Sequence, residues 1–216
     1  MKHIRGIVFD LDGVLISSSR AIDSAVRRAV SELGLPWRDS ILEVFYKSHR
    51  EVFARVYCDF GDALNRFDAL YSEDPAHLNE VRLQPYASEI LDFLKRMGLR
   101  LAISTTKDSS RTTKILNHFG FDLDTVVTAD DTLATRPDPE PLLLALNKIG
   151  VIPDQALYVG DTPLDIVQGR NATVSCVGIT TGHYPAEELW REHPTYVIKE
   201  LNELNEIVRA INGIRI

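Results

Sequence analysis

Short apolar runs alternate with helix-patterned segments along most of this chain, and this alternation limits the folds it can adopt. Six runs are rich in Val and Ile without strict polar alternation: 7–9, 101–103, 125–127, 157–159, 174–177 and 196–198. Such runs are typical of strands that are covered on both faces. Strands separated by helices indicate a parallel sheet with helices on both sides. We therefore predict an α/β protein with a doubly wound, Rossmann-like parallel sheet.

Glycines follow the predicted helices of this sheet. Three segments end in this way: 89–97 before Gly98, 109–119 before Gly120, and 141–149 before Gly150. A glycine directly after the last apolar position adopts the left-handed conformation that ends many helices. We therefore expect each of the three helices to stop at its glycine.

Residues 16–84 interrupt the alternation of strands and helices. Four segments in this stretch have apolar residues at helical spacing: 18–33, 41–57, 63–71 and 76–81. We interpret the stretch as an insertion after the first strand. The sequence thus predicts a core domain of residues 1–15 and 85–216, and an all-helical cap domain of residues 16–84.

Charge and hydropathy exclude several classes of protein. The net charge is −7, whereas a non-specific nucleic-acid binder shows a clustered basic surface. Asp10 interrupts the first apolar run before the apolar region of a signal peptide could form. No stretch approaches the roughly 18 apolar residues of a membrane span. We expect a cytoplasmic protein without nucleic-acid or membrane partners, and we leave open whether it is a monomer or a homodimer.

Two pairs of carboxylates follow predicted strands. Asp10 and Asp12 come after the first strand, and Asp161 and Asp165 after the fourth. An Asp-x-Asp-Gly run is by itself a common turn, and Asp161 could simply cap the next helix. Neither alternative explains why both pairs end buried strands. Since ligands bind beyond the carboxyl ends of parallel strands, we expect the four carboxylates to lie together.

Four carboxylates at one site indicate that a cation binds there. At a partly buried site the charges would repel one another unless they were neutralised. Mg²⁺ binds one or two carboxylates and completes its coordination with waters and substrate phosphate. An all-oxygen site without His or Cys also disfavours zinc. The sequence therefore predicts Mg²⁺ as the cofactor.

The order of these motifs resembles that of the haloacid dehalogenase-like hydrolases, in particular the phosphoglycolate-phosphatase-like branch with a helical cap. Residues 9–14 (FDLDGV) resemble the first motif, 101–107 (LAISTTK) the second, and 160–166 (GDTPLDI) the fourth. The resemblance covers essentially the whole chain. It implies an Mg²⁺-dependent phosphatase that hydrolyses a small phosphorylated metabolite, a phosphomonoester of the phosphoglycolate type.

The resemblance also implies roles for the two motif aspartates of the first strand. Asp10 would attack phosphorus and form an aspartyl-phosphate intermediate. Asp12 would protonate the leaving group and then activate the hydrolytic water. The dehalogenases of the family lack a carboxylate at this position, so Asp12 argues against dehalogenation.

Further roles follow from the second and fourth motifs. Thr105 would donate a hydrogen bond to a phosphoryl oxygen, with Thr106 and Lys107 beside it in the substrate site. The metal site is implied to consist of Asp10, the backbone carbonyl of Asp12, Asp161 and, one layer further out, Asp165.

The third motif departs from the family pattern. A lysine is usual before Pro-x-Pro, and this chain has Arg136 there. Arg136 keeps the positive charge that would offset Asp10 and the phosphate, but its planar group is bulkier than an ammonium. Lys107 could supply the ammonium instead. The alternative that we favour is that Lys107 is a solvated surface residue.

Specificity and the rival functions are less constrained by the sequence. Lys47, His49 and Arg50 lie where family members place substrate contacts, although charged helix residues usually face water and at least two of the three are expected to do so. One alternative function is a phosphoryl-transferring mutase related to the sugar-phosphate mutases. Another is a catalytically weak member that serves as a binding or regulatory subunit, and Arg136 is the feature that favours it.

Overall fold

Six parallel strands form the central sheet in the computed structural model, which describes residues 3–37, 66–67, 69–71 and 76–214. In spatial order the strands are β5 (Thr125–Val127), β4 (Arg100–Ser104), β1 (Gly6–Phe9), β6 (Ala156–Gly160), β7 (Ser175–Ile179) and β8 (Tyr196–Ile198). Every neighbouring pair is parallel. The predicted α/β sheet is confirmed, and β7 begins at Ser175 rather than at Val174.

Helices connect the strands. They are α1 (Ser19–Glu32), α2 (Ala76–Glu80), α3 (Ala87–Arg96), α4 (Ser109–Phe119), α5 (Glu140–Ile149), α6 (Pro163–Asn171), α7 (Ala186–Trp190) and α8 (Leu204–Ile211), with 3₁₀ turns at Pro153–Gln155 and Leu201–Glu203. Gly98, Gly120 and Gly150 follow α3, α4 and α5 with positive φ, as predicted. Among the described helices, none is long and apolar enough to cross a membrane.

The order of the strands creates a switch point at β1. From β1 the chain builds β4 and β5 on one side, and then β6, β7 and β8 on the other. Neighbouring strands whose connections leave in opposite directions, here β1 and β6, open a crevice at their carboxyl ends. Phe9, the last residue of β1, lies in register with Ile103 and Val159. The residues that follow these three positions therefore meet at one edge of the sheet.

One cluster of buried residues beside this edge is apolar apart from the hydroxyl of Tyr158. Helix α5 packs against β1, β4 and β5, and α6 packs against β6 and β7. Val8, Ala102, Leu142 and Leu146 are buried in one cluster, together with Tyr158. Burying each larger aliphatic side chain contributes about 1.5–3 kcal/mol. This packing gives the strand ends a rigid base.

The contacts of the described residues divide the chain into two compact units, 1–17 with 83–216, and 18–82. A two-stranded sheet of β2 (Ile16–Ser17) and β3 (Arg82–Leu83) lies where the chain passes between them. Apart from Arg82, the described secondary structure of the second unit is helical, in α1, α2, 66–67 and 69–71. The predicted segment 41–57 lies outside the described residues. The assignment of 16–84 as a cap domain stays a prediction.

Candidate active site

Three strand ends place the motif residues at the switch point. Asp10 directly follows β1, and its N–H donates to the carbonyl of Val159 at 2.9 Å. Thr105 directly follows β4, is buried, and donates its N–H to the carbonyl of Val127 at 2.9 Å. Asp161 directly follows β6 and is also buried. Ladder-type hydrogen bonds thus extend beyond the strands and fix the backbone of the site.

Three of the four predicted carboxylates form one cluster. Asp10, Asp161 and Asp165 are buried, and each offers an oxygen within 4.8 Å of the others. The carboxylate of Asp12 lies outside this group of three and pairs instead with Lys107, whose Nζ is 2.7 Å from Asp12 Oδ2. The two predicted pairs of carboxylates therefore meet at one edge, and Asp12 turns its side chain to a different partner.

The electrostatics of the cluster favour uptake of a cation. Burial raises the pKa of Asp10 to about 7, helped by Asp165 and Asp12 and opposed by Arg136. Burial likewise raises the pKa of Asp161 well above its usual value, with Asp165 and Asp10 adding to the shift. Carboxyl groups with raised pKa values gain from a nearby positive charge. Arg136 alone therefore does not offset the negative charge of the three carboxylates near neutral pH.

The donor atoms also fit a hard divalent cation. Asp10 Oδ1 is buried and has no hydrogen-bond partner among the described residues. A buried carboxylate oxygen without a donor is costly, and a bound cation removes that cost. The cluster offers oxygen ligands alone, which suits Mg²⁺. The residues that this structure brings together are therefore compatible with the predicted metal.

Arg136 is the cationic side chain that lies against the cluster. Its Nη1 is 3.1 Å from Asp10 Oδ2 and also contacts Asp165 Oδ1. Its Nη2 donates to Thr106 Oγ1 at 3.2 Å. Burial acts to lower the pKa of Arg136, but Asp10 and Asp165 raise it well above its usual value, so the group stays charged. One guanidinium thus joins three positions that a point-like ammonium could not span together.

Lys107 is not a surface residue, so the alternative that we favoured from the sequence is wrong. Its side chain is 9% exposed, compared with 12% for that of Arg136. The backbone N–H of Lys107 donates to Thr105 Oγ1 at 3.2 Å, which turns the loop after β4 back towards the site. Lys107 then reaches Asp12, while Arg136 reaches Asp10. The two cations therefore serve different carboxylates.

The helix that follows Asp161 is capped by Thr162, so the alternative of Asp161 as a cap is also wrong. Thr162 accepts from the N–H of Asp165, and Asp165 Oδ2 accepts from the N–H and the hydroxyl of Thr162 at 3.0 and 2.6 Å. Such a reciprocal cap stabilises a helix end by about 1 kcal/mol. Asp161 is thereby left with no capping role.

Tyr158 is a site residue that the sequence analysis missed. Its hydroxyl donates to Asp165 Oδ1 at 2.7 Å. Burial, with Asp165 adding to it, raises the pKa of Tyr158 well above its usual value, so the hydroxyl keeps its proton. A tyrosine on a strand that is buried on both faces needs a partner for its hydroxyl. This requirement could have identified Tyr158 from the sequence.

Two glycines leave room for Asp161. Gly13 has φ of 78°, and a Cβ there would lie 2.2 Å from Asp161 Oδ2. A Cβ on Gly182, which follows β7, would lie 1.8 Å from the same oxygen. Thr181 joins the two loops, because its hydroxyl donates to the carbonyl of Gly13 at 2.5 Å. The sequence analysis did not single out Gly182.

We expect Gly182→Ala to weaken Mg²⁺ binding at least about tenfold, because a methyl group would displace the carboxylate of Asp161. The measurement is the Mg²⁺ concentration that gives half of the maximal rise in thermal midpoint. Gly178→Ala is the matched control, since a Cβ there would meet Leu189 at 3.3 Å and no carboxylate. Equal midpoints of the Mg²⁺ titration in both variants would contradict the assigned contact.

A small cavity borders the site on the side of β4 and β5. Its volume is about 110 Å³, and Thr105, Thr106, Arg136 and Gln168 are among its lining residues. The hydroxyls predicted to contact a phosphoryl group thus lie beside open space and a cation. Lys47, His49 and Arg50, the predicted contacts in the cap, lie outside the described residues.

The chain is similar in sequence and in fold to known proteins. Residues 7–179 match the family model described as haloacid dehalogenase-like hydrolase. The chain is 30% identical over 210 residues to the pyrophosphatase PpaX of Bacillus velezensis, covering 95% of this chain and 97% of that one. It is 27% identical over 219 residues to a phosphoglycolate phosphatase of Yersinia pestis, covering 94% and 92%. A haloacid dehalogenase-like family hydrolase from Streptococcus pneumoniae has a TM-score of 0.83 at 25% identity, covering 94% and 98%.

Proposed function

The chain belongs to the haloacid dehalogenase-like hydrolase family and is a phosphatase of that family, and we propose that it hydrolyses a small phosphomonoester with Mg²⁺ as cofactor. The reaction proceeds through an aspartyl-phosphate on Asp10. The observation that supports this most directly is the state of Asp10, which is buried beside Arg136 with one oxygen unpartnered among the described residues.

Asp10 has the geometry of an oriented nucleophile. Arg136 contacts Oδ2, which fixes the orientation of the carboxylate. A bond forms between the carboxylate oxygen and phosphorus while the ester P–O bond breaks. Arg136 offsets the negative charge that the phosphoryl group brings to the buried site.

Asp12 handles the protons of both steps. In its protonated form it gives a proton to the departing ester oxygen, and the resulting carboxylate then takes one from the water that attacks phosphorus and releases phosphate. Lys107, 2.7 Å from Asp12, holds this carboxylate away from the buried cluster. The proton thus moves at a position separate from the nucleophile.

Asp10, Asp161 and the backbone carbonyl of Asp12 would hold Mg²⁺. When bound, the cation supplies the positive charge that neutralises the carboxylates and the phosphoryl oxygens. Asp165 supports this arrangement from outside, since its oxygens are already engaged by Thr162, Tyr158 and Arg136. Thr105 and Thr106, at the cavity edge, donate to the phosphoryl oxygens.

Two substrates are candidates. A phosphomonoester of the phosphoglycolate type is the first, supported by the resemblance to phosphoglycolate phosphatases over most of the chain. Pyrophosphate is the second, and the 30% identity to a pyrophosphatase favours it. Lys47, His49 and Arg50 are proposed to contact the anionic part of either molecule that does not react.

A panel assay tests the function. The purified protein is given phosphoglycolate, pyrophosphate, other alkyl phosphates and an aryl phosphate, with Mg²⁺ or with excess chelator. We expect phosphate release that requires Mg²⁺ and is fastest with phosphoglycolate or a close analogue. Fastest release from pyrophosphate would select the second candidate. Full activity in chelator would rule out the proposed use of the metal.

The same panel tests the proton role through Asp12→Asn. An alkoxide needs a proton to leave, whereas a nitrophenolate does not. We expect the variant to lose more of the phosphorylation rate with the alkyl ester than with the aryl ester. Pre-steady-state rates are required, because dephosphorylation also uses Asp12. Equal losses with both esters would argue against the acid role. In the wild-type protein, an aspartyl-phosphate that resists water would favour the mutase.

A further inference from the structure

Helix α6 holds the loop that carries Arg136 through three successive side chains on one side of the helix. The three side chains are spaced three residues apart and contact three consecutive residues of the loop. The contacts are Asp165 with the Arg136 guanidinium, Gln168 Nε2 with the carbonyl of Asp138 at 2.7 Å, and Asn171 Nδ2 with the carbonyl of Pro137 at 2.9 Å. The first contact belongs to the site already described, and the other two have no assigned role.

Gln168 is an unusual residue for its position. It is 1% exposed on a helix that packs against the sheet. Its Oε1 has no hydrogen-bond partner among the described residues, and a buried acceptor without a donor costs stability. An apolar side chain would avoid that cost. The donor end of the amide must therefore contribute something that an apolar residue cannot.

The orientation of the Gln168 side-chain amide follows from its partner in the loop. The carbonyl of Asp138 is an acceptor, so the NH₂ group of Gln168 has to point at it, because two carbonyl oxygens would repel each other. The loop needs this donor. Pro137 and Pro139 have no N–H groups, and the N–H groups of Asp138 and Glu140 donate locally, to the Thr135 carbonyl and to Asp138 Oδ1, both at 2.9 Å.

We infer that Gln168 is a positioning residue that holds the Arg136 loop so that the guanidinium stays against Asp10. The effect of Gln168 on turnover rests on the proposed function, because it acts through Arg136. The contact of Gln168 with the carbonyl of Asp138 does not depend on that proposal. Asn171 acts in the same way from the surface, with a weaker effect, because its side chain is exposed to water. Small displacements of a charged group in a catalytic site lower rates by large factors.

A double-mutant cycle separates positioning from general stability. Gln168→Met keeps a similar volume and removes the donor, and we expect it to lower kcat/KM about tenfold with Arg136 present. With Arg136→Ala, the same change should cost less than about twofold, because there is no guanidinium left to position. The same factor lost in both backgrounds, or no loss with Arg136 present, would overturn the inference.

Two further variants keep the test decisive if Gln168→Met folds poorly. Ile166→Val is the matched control, since Ile166 is buried on the same helix and lies beside Gly178 of β7. It should change kcat/KM by less than about twofold in either background. Asn171→Ala removes an exposed side chain. It should lower kcat/KM by less than Gln168→Met does, and again only when Arg136 is present. We call the contacts of Gln168 and Asn171 with the Arg136 loop the clamp. An Asn171→Ala loss that does not depend on Arg136 would count against it.

Hydrogen exchange gives a measurement that does not depend on activity. In Gln168→Met, the N–H groups of Asp138 and Glu140 should exchange at least about fivefold faster, while those of β1 keep their rates. This result would support the clamp even if the panel assay failed and the proposed function fell. Unchanged exchange in the loop would overturn the clamp whatever the activity.

Discussion

Asp10→Asn is expected to lower turnover of every substrate to below about a thousandth of the wild-type rate while the fold stays intact. The amide has the size of the carboxylate, but it cannot form the aspartyl-phosphate through which the reaction proceeds. The measurement is phosphate release with Mg²⁺ present, together with a circular dichroism spectrum. Turnover in the variant within a factor of about ten of the wild type would remove Asp10 as the nucleophile.

The same substitution should stabilise the protein at pH 8 when a chelator removes divalent cations. The pKa of Asp10 is about 7 in the folded protein against an ordinary value of 3.8. Between these values the folded state binds more protons than the unfolded state, so the free energy of unfolding falls as the pH rises. Asn does not titrate, so the variant avoids this loss. Above pH 7 its free energy of unfolding should exceed that of the wild type by up to about 4 kcal/mol.

Denaturant unfolding at pH 3.5 and pH 8, in chelator, checks this expectation. The advantage of the variant should be largest at pH 8 and almost absent at pH 3.5, where Asp10 is protonated in the folded state and mostly protonated in the unfolded state. Adding Mg²⁺ at pH 8 should stabilise the wild type more than the variant, since the metal needs the ionised carboxylate. A variant that is less stable than the wild type at pH 8 without metal would contradict the assigned burial cost.

Arg136→Ala is expected to lower kcat/KM by about a hundredfold or more. It removes the charge that orients Asp10 and offsets the phosphoryl group, and the loss of one such donor in a buried site is typically of this size. Arg136→Lys should preserve activity or raise it, because a lysine keeps the charge that most family members place there. Steady-state kinetics at saturating Mg²⁺ measure both variants.

Lys107→Ala is the matched comparison, because Lys107 is a cation of similar burial that contacts Asp12 instead of Asp10. We expect its loss to be smaller than that of Arg136→Ala and larger for alkyl than for aryl esters. If the Arg136→Ala variant is normal and the Lys107→Ala variant is inactive, the charge partner of the nucleophile is Lys107. Each variant leaves a carboxylate without its cation, Asp10 in one and Asp12 in the other. The thermal midpoints of both variants show whether this destabilises the fold.

The sheet and the position of its chemistry followed from the sequence because both depend on local patterns. Runs such as 7–9 and 157–159 are long enough for one strand, and a glycine such as Gly120 ends a helix through its own backbone conformation. Parallel strands share one carboxyl edge, so Asp10 and Asp161 had to approach each other once both were placed after strands.

The partners of the charged side chains were decided by the tertiary structure. Arg136 and Asp10 are 126 residues apart in the chain, and no local pattern shows which of two cations reaches which carboxylate. The interpretation of Lys107 as solvated failed for this reason, since its burial depends on how the loop after β4 turns against β1. The register of the strands and the path of the loops had to be known first.

The supporting residues depend on packing in the same way. Tyr158 and Gln168 each look like ordinary members of a strand or a helix, and Gly182 like an ordinary loop glycine. Their roles come from distances of 2.7 Å to Asp165 and to the Asp138 carbonyl, and from the space that Gly182 leaves for Asp161. Hydrogen bonds and steric contacts act over a few ångströms between distant parts of the chain. Residue type and spacing therefore determined where the site forms, and only the packed structure determined which side chains hold it in place.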